Sequence, residues 1–205
     1  MRCVPANGSA TAEVVVTMPE TPVKGSVLGG IVVREMDDDH DASQSDGIQI
    51  SNTFAYAVAV HLRESKTALE PNLALLDVKP EVVNYMVSPV HYVHNPMPIV
   101  MADMRLTLAV YQNGVAAPVL EHENDLVSMA PNSVMAYSPA ITEGIIAPGN
   151  YRSVLTLEWE GRAWNFEGAF SVAPSEASDL NDGAIAAPRE TTPWWMFRIV
   201  GLGAI

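Results

Sequence analysis

The chain has 205 residues, with 24 acidic and 11 basic side chains and a formal net charge of −13. That length is enough for one domain with a full hydrophobic core. The negative charge, with no basic cluster to offset it, excludes nucleic acid as an expected partner. The single cysteine, Cys3, allows no intramolecular disulfide and does not indicate a cellular compartment.

The first part of the chain contains short strand signals. Residues 1–12 have no apolar run of the signal-peptide type, and we expect them to be a disordered N-terminus. Residues 13–18 and 27–33 are apolar segments flanked by proline and glycine. Each of the two segments therefore predicts a short strand.

An acidic segment, REMDDDHDASQSDG, has six carboxylates in fourteen residues. Asp37, Asp39 and Asp41 have the alternate spacing of the first three ligands of an EF-hand calcium loop. The sixth and twelfth positions of that loop are glycine and glutamate, whereas here they are Ala42 and Ile48. We expect a solvated loop without metal, and a looser calcium site at the three aspartates is the alternative.

Alternation of apolar and other side chains is the dominant pattern of the chain. It predicts strands with one buried face, because successive side chains of a strand point to opposite sides. The alternating runs are residues 48–62, 104–110, 151–159 and 164–172. We expect these runs to share one core in which the following side chains are buried: Phe54, Tyr56, Val58, Leu106, Leu108, Leu157 and Phe166.

Turn residues separate several of these strands. Asn113-Gly114 favours positive φ at both central positions and predicts a type I′ hairpin turn, and Glu160-Gly161-Arg162 predicts the last turn. Tyr151 directly follows Pro148-Gly149-Asn150, a pattern typical of the tyrosine corner of Greek-key sandwiches. Residues 82–93 are extended, but their apolar side chains fit neither register.

No segment keeps a 3.6-residue period, and 15 prolines and 13 glycines punctuate the strands. We therefore predict an all-β protein, an immunoglobulin-like two-sheet β-sandwich over residues 13–172. Residues 173–193 are small and polar and predict a disordered linker. Residues 194–205 form a short apolar C-terminal tail that opens with two tryptophans. We interpret it as the start of a truncated transmembrane helix, with a loose tail as the alternative.

Candidate chemistry is sparse. His91 and His94 lie three apart, so on a strand they point to opposite faces, and His122 lacks the second histidine of a zincin helix. The sequence has no nucleophile elbow and no phosphate-binding glycine loop, and Cys3 lies outside the predicted fold. We expect no enzyme, no catalytic residue, no cofactor and no metal. A hydrolase of unrecognised type is a remote alternative.

Several motifs together resemble one family in their order and spacing. They are Gly29-Gly30-Ile31, residues 48–65, Asn95-Pro96, residues 128–133, residues 148–151 and Trp164-x-Phe166. The set spans residues 13–172 and is similar to the C-terminal, host-binding domain of the WxL-interacting proteins of Gram-positive bacteria.

The resemblance implies a non-enzymatic cell-surface binding module for adhesion or for assembly of surface complexes. Its implied partners are WxL-domain surface proteins and host extracellular-matrix proteins. The implied location is the extracellular face of the membrane or the cell wall, with a single-pass membrane anchor in the intact protein. The peptidoglycan-binding domain and signal peptide of such proteins are not recognised here, as in a gene fragment or truncated copy. A structural spacer with no ligand of its own is the alternative function.

Overall fold

The computed structural model describes residues 8–34, 54–65, 67–141 and 145–184. Within these ranges the chain forms the strands β1 (Ser26–Arg34), β2 (Ala55–Arg63), β3 (Ala74–Val83), β4 (Met86–Asn95), β5 (Met101–Gln112), β6 (Leu120–Met129), β7 (Ser133–Tyr137), β8 (Gly149–Trp159) and β9 (Arg162–Val172), and the helix α1 (Pro174–Asp182). The elements belong to two compact units, residues 1–69 and residues 70–205.

The first unit contains a two-stranded antiparallel sheet of β1 and β2. The strand predicted at residues 27–33 is confirmed as β1, and β2 lies within the long strand predicted at residues 48–62. Residues 48–53 lie outside the described part of the chain. Residues 13–18, predicted as a strand, are not in a strand, because no neighbouring strand in the described ranges pairs with them.

The predicted burial of three aromatic and aliphatic side chains was wrong. Phe54, Tyr56 and Val58 are 66%, 72% and 58% exposed. Alternation identifies a face that is apolar, but it does not supply the layer that would cover that face. Among the described strands β2 pairs only with β1, so its apolar side chains have no second sheet across from them in this unit.

The second unit contains the immunoglobulin-like sandwich, which was predicted over residues 13–172 and whose strands lie within residues 74–172. One sheet has the strand order β3-β4-β7 and the other has the order β6-β5-β8-β9, and all pairings are antiparallel. Seven consecutive strands thus form two layers with a Greek-key order, as in immunoglobulin-like domains. Three of the four predicted alternating runs coincide with β5, β8 and β9.

The core lies between these two sheets. Leu106, Leu108 and Leu157 are buried as predicted, and Phe166 is partly buried against them. Large side chains that are completely enclosed also include Met101, Met104 and Leu155. Trp159 and Trp164 pack at the margin of this cluster.

A tyrosine corner fixes the start of β8, as the sequence predicts. The Tyr151 hydroxyl donates a hydrogen bond of 2.7 Å to the Ala147 carbonyl, four residues upstream. Its ring is buried and stacks on Phe170, with ring centroids 4.9 Å apart. Burial raises the pKa of the Tyr151 phenol. The corner therefore anchors the connection from β7 to the first residues of β8.

Replacing Tyr151 with phenylalanine should lower the free energy of unfolding by about 1–2 kcal/mol, because the Ala147 carbonyl loses its donor. Urea denaturation followed by circular dichroism measures this change. Tyr85→Phe is the matched control, since Tyr85 is exposed in a turn, and it should change stability little. Equal losses in the two variants would contradict a structural role for the corner.

The turns agree with the predictions only in part. Glu160 and Gly161 have φ of 46° and 78°, the positive values of a type I′ turn, so the predicted last turn is confirmed. At Asn113-Gly114 only Gly114 has positive φ, and Val115 N–H bonds the Gln112 carbonyl at 3.0 Å. The predicted type I′ turn was therefore wrong, since positive φ at the second position alone is the type II pattern.

The helix α1 lies inside the segment predicted as a linker, and the prediction was wrong for these residues. Pro174 begins the helix, and the Glu176 carboxylate accepts a hydrogen bond from the Ala173 N–H at 3.2 Å. The Asn181 side-chain amide bonds both the N–H and the carbonyl of Ile146, at 2.8 Å and 2.9 Å. This pair of bonds holds the helix against the sandwich. The rest of the predicted linker and the apolar tail lie outside the described residues.

The two long sides of the sandwich differ. Gly168 of β9 faces Val78 of β3 so closely that an added Cβ would lie 2.5 Å from a Val78 methyl carbon. Glycine thereby lets the edge strands β3 and β9 meet. On the other side, the register of β5 and β6 shifts between Met104 and Leu106, and this bulge leaves Leu126 76% exposed.

Candidate interaction surface

The outer face of the three-stranded sheet carries contacts among its own side chains. The Tyr92 hydroxyl donates a hydrogen bond of 2.7 Å to the Glu81 carboxylate, which raises the pKa of Tyr92. The Lys79 ammonium lies 5.5 Å from the centre of the Tyr92 ring. On the same side of β4, Ser88 and Val90 are only 1% and 2% exposed. The same face also presents exposed side chains, since Val134 is 52% exposed and the Lys79 and Asp77 side chains are 56% and 51% exposed.

The outer face of the four-stranded sheet is open at its centre, where the side chains are small. Thr107 lies opposite Thr156 and Ala109 lies opposite Val154 across β5 and β8. Together with neighbouring residues of β6 they line a shallow trough of about 430 Å³. Because none of these side chains projects far, a flat partner surface can approach the sheet here.

A row of carboxylates borders the trough on the edge strand β6. Glu121 and Glu123 are exposed, and their backbone positions lie opposite Ala109 and Thr107. Arg105 on β5 forms an ion pair with Glu123, and its Nε lies 3.4 Å from the Asp125 carboxylate. Bonding to Glu123 raises the pKa of the Arg105 guanidinium. Arg105 is thus paired with two of three neighbouring carboxylates on β6. We call these three side chains the acidic row: Glu121, Glu123 and Asp125.

The opposite border of the same face is closer to charge balance. Arg152 on β8 lies 3.6 Å from the Glu167 carboxylate and 5.4 Å from the centre of the Tyr111 ring. Both members of the ion pair are about half or more exposed, so it contributes little to stability. The electrostatic asymmetry of the face therefore comes from the acidic row on β6.

An apolar cleft lies at one end of the sandwich, where β5 ends and β8 begins. It has a volume of about 490 Å³ and is lined by Gln112, Val115, Ala117, Pro118, Val119, Ile141, Ile145, Ile146, Ala147 and Tyr151. The Gln112 side chain donates a hydrogen bond of 3.2 Å to the Pro148 carbonyl. The Tyr151 hydroxyl is bonded to Ala147, so both polar side chains of the lining already have partners.

The histidines considered for a metal site do not converge. His91 is completely buried in the core, and its Nδ1 lies 2.8 Å from the Pro89 carbonyl, to which it donates. Its Nε2 has no hydrogen-bond partner in the described structure. Burial lowers the pKa of His91 to about 4. His122 instead packs near the Tyr137 ring, at 5.8 Å between centroids.

The described residues contain no group of three or more His, Cys, Asp or Glu side chains that could hold a metal ion. The alternative calcium ligands Asp37, Asp39 and Asp41, and also Cys3, lie outside the described residues. The acidic row and the cleft were not identified in the sequence. The acidic row lies on β6, which was not predicted as a strand, and most of the cleft lining lies in connections between strands, so the alternating runs marked neither of them.

The chain matches one known protein family over most of its length. The model of the family described as WxL Interacting Protein, host binding domain, matches residues 45–182. The chain belongs to this family. The match takes in β2, the whole sandwich and α1, whereas β1 precedes it. No curated protein matches the chain. In the described part of this host-binding domain, every helix is too short or too polar to cross a membrane.

Proposed function

We propose that this host-binding domain is a non-catalytic binding module that recognises a WxL-domain protein at the cell surface. The outer face of the four-stranded sheet is the proposed contact. The observation that carries the proposal is the acidic row beside a trough of small side chains on this face. The family to which the chain belongs is described by its interaction with WxL proteins.

The acidic row favours a partner surface that is basic. Carboxylates at the border of a contact attract such a surface before the two proteins touch, and they raise the association rate more than the final affinity. Small side chains in the trough then allow close approach. In this proposal the module acts at the extracellular side of the membrane or in the wall, and host matrix proteins are a second class of partner to be tested.

The proposal predicts that neutralising the acidic row slows association. The triple variant Glu121→Gln, Glu123→Gln, Asp125→Asn should lower the association rate for a purified WxL-domain protein by roughly tenfold at low salt. The difference should shrink as salt approaches physiological strength, because screening shortens the range of the attraction. Surface plasmon resonance at two salt concentrations measures both effects.

A matched control removes three carboxylates from other surfaces. Glu160, Asp179 and Asp182 lie in a turn and on α1, and their amide variants keep the same net charge as the triple variant. This control should bind almost as the unchanged protein does. An equal loss in both variants would show that only total charge matters. Absence of binding to any WxL-domain or matrix protein would favour a spacer that has no ligand of its own.

A further inference from the structure

We infer that the apolar cleft at the end of the sandwich is a second contact site, which takes the Trp and Leu side chains of an extended Trp-x-Leu segment of the partner. This inference rests on the proposed function, because it takes the partner to be a WxL protein. It concerns a different surface from the acidic row. The two proposals can therefore fail separately.

The lining of the cleft selects an uncharged, apolar occupant. None of the ten described residues that line it carries a charge, although the chain as a whole has a net charge of −13. Its polar side chains, Gln112 and Tyr151, are already hydrogen-bonded to the carbonyls of Pro148 and Ala147. An occupant gains little by offering a hydrogen bond here, and it gains free energy by removing apolar surface from water.

The size of the cleft suits more than one side chain. Its volume of about 490 Å³ lies within the range of small-molecule sites and can hold an indole ring together with an isobutyl group. Val115 at the margin is 47% exposed, so apolar surface is available to an arriving group. Nothing within the described residues fills this volume.

A Trp-x-Leu segment presents that combination when it is extended. Residues two apart on a strand point to the same side, separated by roughly 7 Å. The tryptophan and the leucine would therefore enter one cleft together, while the intervening side chain points away. A helical segment would place the two side chains on different faces, so the inference includes the extended conformation.

The cleft lies close enough to the trough for one partner to reach both. β5 runs from Ala109 at the trough to Gln112 at the cleft, and β8 runs from Tyr151 at the cleft to Val154 at the trough. Three residues of strand span about 10 Å. One partner molecule can therefore reach both surfaces.

The experiment uses the full chain and two synthetic peptides. One labelled peptide contains a central Trp-x-Leu, and the other has alanine at both positions. Fluorescence anisotropy should detect binding of the first peptide and at least tenfold weaker binding of the second. Ala117→Trp should weaken binding of the first peptide at least tenfold, because Ala117 lines the cleft and is itself exposed.

Two further variants keep the test independent of folding. Ala116→Trp is the matched control, since Ala116 is the exposed neighbour that does not line the cleft, and it should bind like the unchanged protein. Val115→Asp places a charge on an exposed residue of the lining and should reproduce the loss. Unchanged binding in both Ala117→Trp and Val115→Asp would overturn the inference.

The whole partner protein separates the two proposals. If a WxL-domain protein binds but the cleft variants have no effect and the peptide does not bind, the cleft inference is wrong and the proposed function stands. If neither the protein nor the peptide binds the unchanged chain, the proposed function fails as well. If protein binding falls with the cleft variants and survives Ala116→Trp, the inference is supported.

Discussion

Replacing Leu108 with alanine should lower the free energy of unfolding by about 2–5 kcal/mol. Leu108 is 3% exposed, and it lies opposite Leu155 on β8 and His122 on β6 in the middle of the four-stranded sheet. The loss combines apolar surface no longer buried with a cavity that the two rigid layers cannot collapse to fill. Urea denaturation followed by circular dichroism measures the change.

Val58→Ala is the informative comparison, because Val58 occupies an alternating run that looks the same in the sequence. Val58 is 58% exposed on the two-stranded sheet, so its truncation should cost no more than about 0.5 kcal/mol. Losses of similar size at the two positions would contradict the structure, since they would mean that the apolar face of β1 and β2 is covered in solution.

Acid should destabilise the sandwich through His91. Burial lowers the pKa of His91 from 6.5 to about 4, so the unfolded chain takes up a proton at higher pH than the folded one does. Stability from this residue is therefore fully present above about pH 6.5 and is lost as the pH falls toward 4. The shift corresponds to about 3 kcal/mol lost by the lower end of that window. Denaturation midpoints at a series of pH values measure it.

His91→Leu should flatten this dependence, since leucine does not titrate. Its absolute stability at neutral pH is not the diagnostic quantity, because the variant also leaves the Pro89 carbonyl without its donor. His94→Gln, which keeps the buried histidine, should retain the slope of the unchanged protein. A slope that persists in His91→Leu would assign the acid sensitivity to other groups.

Much of the sandwich was predictable from the sequence because its strands are amphipathic. β5, β8 and β9 bury one face and expose the other, so period-two alternation locates them directly. The tyrosine corner was predictable because the Pro-Gly-Asn turn and the following Tyr151 form a local signal. In these cases the residues that determine burial lie within one strand or turn, so the sequence of that segment is enough to predict it.

The remaining strands were harder because neighbours decide their burial. In β4 Val90 is 2% exposed although it lies on the outward side of the strand with Tyr92, so both faces look apolar. Pro89 argues against a central strand, because proline has no N–H to donate. However, β7 pairs with β4 only from His91 onward, so Pro89 removes no hydrogen bond between these two strands. The β3–β4 turn at Asn84-Tyr85, with φ of 52° and 62°, has no glycine to mark it.

The candidate site was less predictable than the fold. An open sheet face is defined by which small side chains become neighbours, such as Thr107 beside Thr156, and that depends on strand order rather than on any local pattern. The helix α1 was missed for a related reason. Its sequence is short and polar, and its attachment depends on a distant pair of hydrogen bonds between Asn181 and Ile146.

The close contact between Gly168 and Val78 affects how readily this domain can aggregate through its strand edges. A sandwich normally presents free strand edges, and such edges invite uncontrolled addition of strands from other molecules. Here β3 and β9 are drawn together on one side, while a bulge and carboxylates interrupt β6 on the other. Addition of foreign strands is thereby discouraged at β3, β6 and β9, and β7, the remaining edge strand of the sandwich, has only five residues. Binding of a partner then depends on side chains rather than on strand addition, and single substitutions can change the affinity.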